Sequence, residues 1–263
     1  MNKKYSICYN SSIDNAVQII KNLSLVLESY ELEYEIYDVD NISSNADFAF
    51  VIGGDGTILK AARYFAKSST PVLGINLGHL GFLSQATDNE LDLVVKKVKN
   101  EQYITQNRMM LESDNYLALN DFVVKGEEIS RASSFSLEIN DEFVCDYFAD
   151  GVIISTPTGS TAYGMASGGP ILTPELDAVA IIPICPHTLN ARPIVIKSDS
   201  VIKIISHNKQ KNCVVADGQN VFSFIDNICI KKSDKVAKLV LLSNDFYSVL
   251  RDKLQWGINP TKK

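Results

Sequence analysis

The sequence predicts two domains of different class, an α/β domain followed by an all-β domain. Three observations predict this. Through the first hundred residues, short strand patterns alternate with amphipathic helical ones, as in a mostly parallel sheet with helices on its faces. After about Tyr103 helical periodicity fades and closely spaced strand-length runs take over, which suits a sandwich of short strands. The chain has 263 residues, comfortable for two domains at roughly 100–200 residues each. The boundary is set between residues 102 and 103.

The elements follow in order. Tyr5, Ile7 and Tyr9 alternate with Ser6 and Cys8, a strand pattern. Ile13, Ala16, Val17, Ile20, Leu23 and Leu27 recur at helical spacing after Ser11-Ser12, residues that can cap a helix. Glu33–Val39 reads as a second strand, and Asp47–Ile52 is an apolar burst that stops at Gly53-Gly54. Ile58, Leu59, Ala62, Phe65 and Ala66 mark the next helical face, Pro71–Ile75 another buried strand, and Leu91, Val94, Val95 and Val98 a closing helix. Beyond Tyr103, strand-length runs lie at Tyr116–Val124, Ser134–Ile139, Glu142–Tyr147, Val152–Ser155, Val201–Ser206, Asn212–Ala216 and Ile228–Lys231. Asn140-Asp141 between two of them is a hairpin turn signal. Asp245–Leu254 reads as a short helix. These patterns describe an N-terminal Rossmann-like α/β domain over 1–102 and a C-terminal β-sandwich-like domain over 103–239.

Composition narrows the function classes. The chain is 46% hydrophobic and 21% charged, with 14 Gly and 8 Pro, which excludes disordered, collagenous and coiled-coil classes. Net charge is −6, and the lysine pairs 96–97, 231–232 and 262–263 are scattered. A nucleic-acid binder concentrates its cations on phosphates, so no nucleic-acid partner is expected. Five cysteines, an odd number without C-x-x-C, argue against a disulfide framework or a zinc site and suit a reducing, cytoplasmic setting. The start is too polar for a signal peptide. The longest apolar run, Ala178–Cys185 with Pro183 inside it, is far too short to span a bilayer, so no membrane partner is expected.

Two motifs carry chemistry. Gly53-Gly54-Asp55-Gly56-Thr57 follows a buried strand and opens a helix. Glycines let the backbone turn tightly, and N–H groups at a helix start can seat phosphate. Asp55 is the odd member, because a carboxylate repels phosphate. It belongs there if it takes a proton from an attacking hydroxyl or holds a divalent metal. The same five residues also read as a plain strand-to-helix turn with an Asp cap. The position at the carboxyl end of a strand, where open α/β sheets bind ligands, favours function. No Walker loop, G-x-G-x-x-G or G-x-S-x-G occurs, and His79, His187 and His207 form no triad pattern. The second motif runs from Asp150 to Tyr163: a strand, then the hydroxyl-rich loop Thr156-Pro157-Thr158-Gly159-Ser160-Thr161. Its small donors and one aromatic face suit a sugar, a phosphate and a flat base, but by composition alone the reading as a sandwich turn prevails.

Taken together, these residues resemble the NAD kinase (ATP-NAD kinase) family, and the resemblance covers nearly the whole chain. It rests on GGDGT at 53–57, GINLGHLGFL at 74–83, Leu119-Asn120-Asp121, DGVIISTPTGSTAY at 150–163, SGGPILTP at 167–174, PICPHTLNARP at 183–193 and Asp217-Gly218-Gln219. GGDGT alone is shared with lipid kinases and phosphofructokinases, whereas the TPTGSTAY and CPHTLNARP blocks are specific. The resemblance implies transfer of the γ-phosphate of ATP to the 2′-hydroxyl of the adenosine ribose of NAD, giving NADP. It also implies a divalent cation such as Mg²⁺, a dinucleotide lying between the domains, a tail over 240–263 that returns to the first domain, and homodimers or homotetramers.

Roles carry over by motif position. Asp55 is implied to activate the ribose hydroxyl, with Gly56 beside it. Asn120 and Asp121 are implied to hold ribose or adenine groups, and Asp150 to face the nicotinamide side. Thr161, Ala162 and Tyr163 are implied to line the adenine pocket, followed by Gly164, Met165 and Ala166. Gln219 is implied to touch the ligand from the late element, Arg131 from a less diagnostic stretch, and Cys185 and His187 to reach a neighbouring subunit's site, while His187 reads equally as a structural histidine inside a Pro-rich turn. Asp121 stands where Glu is commoner, Ala149 replaces a frequent Gly, and Phe148, also in the ligand set, stands where some members carry a basic residue. Two other classes share parts of the pattern: a non-catalytic NAD(P)-binding regulator on the same scaffold, and a lipid or sugar kinase with only the GGDGT turn.

Overall fold

The computed structural model describes residues 3–13, 16–78, 81–127, 132–188, 190–208, 211–242 and 246–255. The chain divides into two compact units, Met1–Asn107 with Ala237–Lys263, and Arg108–Val236. The first is built of β1 (Tyr5–Tyr9), α1 (Ala16–Ser29), β2 (Tyr34–Asp38), β3 (Phe48–Ile52), α2 (Asp55–Phe65), β4 (Val72–Asn76), β5 (Ser84–Thr87) and α3 (Leu91–Lys99). β6 (Ile104–Ser113) leads into the second unit. There follow β7 (Tyr116–Ala118), β8 (Asp121–Gly126), β9 (Ser133–Ile139), β10 (Glu142–Ala149), β11 (Gly151–Ser155), α4 (Tyr163–Ala166), β12 (Ala178–Ile184), β13 (Ile194–Lys197), β14 (Ile202–Ser206), β15 (Asn212–Ala216) and β16 (Asn220–Phe224). β17 (Asn227–Leu241) leads back to the first unit, which α5 (Phe246–Leu254) completes.

In the first unit β2, β1, β3, β4 and β5 form a parallel sheet in that order, and Leu239 near the end of β17 pairs in parallel with Val72. All five residues of β3 are buried, as a parallel strand with helices on both faces requires. On one face Leu23 and Leu27 of α1 and Val94 and Val95 of α3 pack with Phe48, Phe50 and Ile52. Alternation puts Gly74 of β4 on the other face. There a Cβ would lie 2.4 Å from Ile58 Cδ1, so α2 comes this close to the sheet only because position 74 is glycine. β3 therefore runs straight into α2 through Gly53-Gly54, with Asp55 opening the helix at the carboxyl end of a central strand.

The second unit is two antiparallel sheets. One has the order β13-β12-β11-β8-β15-β16, and the other carries β10-β9-β14-β17, with β6 pairing β17 and β7. Phe122, Val124, Val152 and Ile154 of the first sheet meet Leu137, Ile202, Ile204 and Ile230 of the second in one core. Val123, Ile153, Ala180 and Ile182, the alternate residues, face the other way and are covered by Leu172. Period-two alternation with both faces covered explains why every residue of β11 is buried. Asn140 and Asp141 join β9 to β10 with φ of 52° and 64°, the paired positive values of a tight hairpin turn.

The structure adds strands that the sequence pattern does not single out. β5 (SQAT) and β16 (NVFSF) lack a clean apolar alternation. β17 is fifteen residues long, and its KKSDK stretch breaks the hydrophobic pattern after Lys231. Pro183 sits inside β12 opposite Val152 of β11. The neighbouring β13 reaches only Ile181, so past that point the outer side of β12 has no ladder to which an N–H would be needed. Among the described residues no helix is long and apolar enough to cross a membrane.

Phe50 is fully buried, with its ring 5.0 Å from that of Phe48. Phe50→Ala is expected to destabilise the protein by about 3–5 kcal/mol through lost burial and the cavity left behind, measured by urea unfolding. A loss under about 1 kcal/mol would mean that the β3 core is not packed as described.

Candidate functional site

In the first unit the site begins with the turn after β3. Gly53 has φ +151°, and a Cβ there would lie 2.5 Å from Thr57 Oγ1. Gly53 N–H donates to the Ile75 carbonyl at 3.0 Å, and Gly54 O accepts from Thr57 N–H and Ile58 N–H at 2.9 and 3.2 Å. The turn is thus closed on itself before Asp55 points out of it. The Asp55 carboxylate accepts Phe82 N–H on Oδ2 (3.0 Å) and Leu83 N–H on Oδ1 (3.2 Å). A Cβ at Gly81 would lie 2.1 Å from Asp55 Oδ1, so that approach demands glycine, and Gly81 N–H is held by Ser84 Oγ at 2.6 Å. Hence the GGDGT turn and the GINLGHLGFL block form one construction; His79 and Leu80 of that block lie outside the described residues. Two amides fix the direction of the carboxylate, while each oxygen keeps a second lone-pair site. Asp55 is half-buried and Gly56 exposed.

In the second unit Asn120 and Asp121 stand at the start of β8. Three consecutive amides there, those of Leu119, Asn120 and Asp121, donate to the Asp217 carboxylate at 3.0, 2.7 and 3.2 Å. Asp217 N–H returns to Asp121 O at 2.9 Å, and Gln219 N–H closes its turn on Ala216 O at 2.9 Å. The Asp121 side chain is 4% exposed. Burial first, then the nearby Asp217 carboxylate, pushes its pKa up to about 7, because both disfavour the ionised form. Asn120 is half-buried, with its carbonyl taking Thr156 N–H at 2.8 Å.

In the hydroxyl-rich loop the hydroxyls hold the turn, the second of the two readings of its composition. Thr156 Oγ1 donates to Leu119 O (2.6 Å) and accepts Gly159 N–H (3.1 Å). Ser160 Oγ is shared among Pro157 O, Leu172 O and Leu172 N–H, and Thr161 Oγ1 donates to Thr158 O. Thr158 Oγ1 accepts from the buried Arg108 at 3.2 Å. Burial draws the Arg108 pKa down to about 10, so the guanidinium remains charged at neutral pH. A Cβ at Gly159 would lie 2.1 Å from Asn120 O. The hydroxyls therefore lock the loop onto the 119–121 turn, and the loop then presents half-buried Ala162 and Met165 and exposed Tyr163 and Ala166, with Gly164 buried beneath against Ile182. Lys125 Nζ stands 5.7 Å over the Tyr163 ring, a cation–π arrangement.

The remaining candidates lie nearby in sequence. Asp150 is exposed, with its N–H on Ile184 O at 3.0 Å. Phe148, 47% exposed, meets the His187 ring edge-on at 4.9 Å, and His187 N–H donates to Phe148 O. Cys185 is exposed and free. Arg131 lies outside the described residues. Ser136 Oγ lies 2.6 Å from His207 Nε2, but its hydroxyl is bonded to Asp146. The acid engages the serine rather than the imidazole, so this is a clamp and not a hydrolase triad. Sequence reasoning gave no role to Asp217 and Gly81, although both lie in motifs that carry the resemblance, and it passed over Arg108, visible only as a lone cation in the apolar NRMML run of β6.

Comparisons with known proteins agree with this layout. The ATP-NAD kinase N-terminal domain family matches residues 5–103, and the ATP-NAD kinase C-terminal domain family matches residues 119–242. The NAD kinase of Thermoanaerobacter pseudethanolicus is 37% identical, over 96% of this chain and 99% of its own. That of Caldanaerobacter subterraneus is 42% identical, over 82% of this chain and 81% of its own. A crystal structure of an NAD kinase from Archaeoglobus fulgidus in complex with ATP superposes with a TM-score of 0.81 at 28% identity, over 96% of this chain and 98% of that one. Yeast NADH kinase complexed with NADH shares the fold, with a TM-score of 0.88 at 23% identity over 100% and 90%.

The raised pKa of Asp121 has a stability consequence of definite sign. The protonated form is favoured in the folded chain, so its contribution is complete below about pH 4 and is lost as pH rises to about 7. Asp121→Asn, neutral throughout, is expected to become more stable relative to the parent across that window, by at most about 4 kcal/mol above pH 7. Melting curves of both proteins from pH 4 to 8 without nucleotide check this, and a difference that does not change with pH would refute it.

Proposed function

The chain belongs to the ATP-NAD kinase family, and we propose how its residues share the work of that reaction. The reaction is phosphoryl transfer: the γ-phosphate of ATP moves to NAD, giving NADP and ADP. The acceptor is the 2′-hydroxyl of the adenosine ribose. The new bond joins that oxygen to the γ-phosphorus, the bond to the bridging oxygen of ADP breaks, and the hydroxyl proton leaves to Asp55. Such transfer depends mainly on positioning and electrostatic stabilisation, and the observation that carries the assignment is the Asp55 carboxylate held on two amides at the carboxyl end of β3.

The other roles follow from chemistry at each position. Asn120 and Asp121 bond the nucleoside, with a sugar hydroxyl donating to the Asp121 carboxylate. Such a donor favours the ionised form, so NAD binds more tightly as pH rises through about 7. Thr161, Ala162, Tyr163, Gly164, Met165 and Ala166 form the wall for the adenine, Gln219 contacts the ligand from its turn, and Asp150 and Phe148 serve the nicotinamide side. Among the described residues no group of three or more His, Cys, Asp or Glu is assembled to hold a metal. The donor set fits Mg²⁺, which binds through one or two carboxylates plus substrate phosphates, and Asp55 has the free lone pairs for it. When bound, the ion supplies charge neutralisation on the ATP phosphates. A cytoplasmic homodimer or homotetramer suits the family resemblance and the five unpaired cysteines.

Purified protein incubated with ATP, Mg²⁺ and NAD should accumulate NADP; binding without NADP would favour the regulator reading. Asp55→Asn should fold and bind NAD but lose about 10²–10⁴-fold in kcat, and a variant turning over at the parental rate would overturn the role of Asp55. Gly81→Ala, whose methyl would displace the carboxylate, should also lower kcat while NAD binding holds.

A further inference from the structure

Among the groups that the reaction does not use directly, Asp217 stands out by its partners. We propose that Asp217 is the positioning residue of the dinucleotide site, holding the backbone that aims Asn120 and Asp121. This rests on the reading of Asn120 and Asp121 as nucleoside-binding residues.

Ala216, the last residue of β15, pairs with Phe122 near the start of β8. Beyond this point the ladder has no further carbonyls to offer the amides of residues 119–121. Buried amides need acceptors, and the Asp217 carboxylate takes all three, at 3.0, 2.7 and 3.2 Å. To do so the backbone at 217 adopts φ +51°, a conformation that Asp tolerates better than most side chains, and Gly218 follows at φ +67°. Asp217 N–H returns to Asp121 O, so the two segments are tied in both directions. From the other side Thr156 N–H takes the Asn120 carbonyl and Gly159 packs on it. The turn is thus pinned on both sides, and its side chains leave it in fixed directions. A carboxylate suits this role better than an amide. Oδ1 and Oδ2 both accept, whereas a carboxamide offers one acceptor and turns an N–H₂ toward an N–H. The same negative charge acts on Asp121, so Asp217 governs both where Asp121 points and how readily it ionises.

Asp217→Asn is the test, on the full-length protein. It should melt cooperatively, leave the KM for ATP unchanged, and raise the KM for NAD about tenfold, the scale of one lost charge-assisted hydrogen bond, with a smaller change in kcat. The midpoint of the pH dependence of NAD affinity should move to lower pH, because a like charge beside Asp121 is gone. A purely structural role would move neither the balance between the two substrates nor that midpoint. An unchanged KM for NAD, or equal losses for both substrates with the midpoint unmoved, overturns the proposal. If the variant fails to melt cooperatively, hydrogen exchange on the parent decides: slow exchange at Leu119, Asn120 and Asp121 supports the proposal, and exchange as fast as in exposed loops overturns it. If the parent makes no NADP, the kinase reading fails, while equilibrium NAD binding by parent and variant still tests the positioning.

Discussion

Sheets end, and amides at their ends still need acceptors. In each unit of this protein a single carboxylate meets that need, and the loops that carry function take their shape from it. In the first unit Asp55 takes the amides of Phe82 and Leu83, which joins the turn after β3 to the stretch before β5. In the second, Asp217 takes those of Leu119, Asn120 and Asp121. A carboxylate does this better than a neutral acceptor because hydrogen bonds to an ionised group are stronger, and because two oxygens can serve several donors. Without these acids the amides would be left unpaired inside the protein.

Glycine is the second requirement, and it follows from the first. For Asp55 to reach its two amides, the chain at Gly81 must pass within a distance that no Cβ could share; for the loop at 156–161 to sit on the Asn120 carbonyl, Gly159 must do the same. Thr156 and Ser160 then bond the loop to itself and to its neighbours. The hydroxyl groups thus serve rigidity, and the residues they hold up, Ala162 and Tyr163 among them, are the ones proposed to meet the adenine. Such pre-organisation matters for phosphoryl transfer, where geometry supplies much of the catalysis.

Some of this was legible in the sequence. Wholly buried β3 and the alternating strands of the second unit announce themselves, because helices or a second sheet cover them and burial writes a pattern. β5, β16 and the middle of β17 do not, since their residues answer to local pairing more than to a core. At the site, Asp55 is readable as a candidate because it stands among glycines at the carboxyl end of a buried strand, where open α/β sheets bind ligands, though the same residues also make a plain turn. The role of Asp217 is not, although the residue lies in the Asp217-Gly218-Gln219 motif, because it acts on backbone amides, and amides belong to every residue and leave no mark in composition. Arg108 is visible only as a charge out of place, and its target, the Thr158 hydroxyl, lies fifty positions away.

Three aspartates thus do different work, and environment, not residue type, separates them. Asp55 is half-buried, and each oxygen retains a lone pair for a hydroxyl or a cation. Asp217 is buried, with its carboxylate turned onto the backbone amides of residues 119–121, where it positions the turn. Asp121 is buried beside a like charge, and together these push its pKa up to about 7. The closeness of Asp121 to Asp217 is then a consequence of how the turn is held. The chain cannot satisfy three amides with one carboxylate at the end of these strands without placing that charge next to whatever side chain the turn presents. On the proposed reading of Asp121, a sugar hydroxyl arriving as donor would complete the ionisation of that carboxyl, so the arrangement that fixes the turn would also couple nucleotide binding to release of a proton.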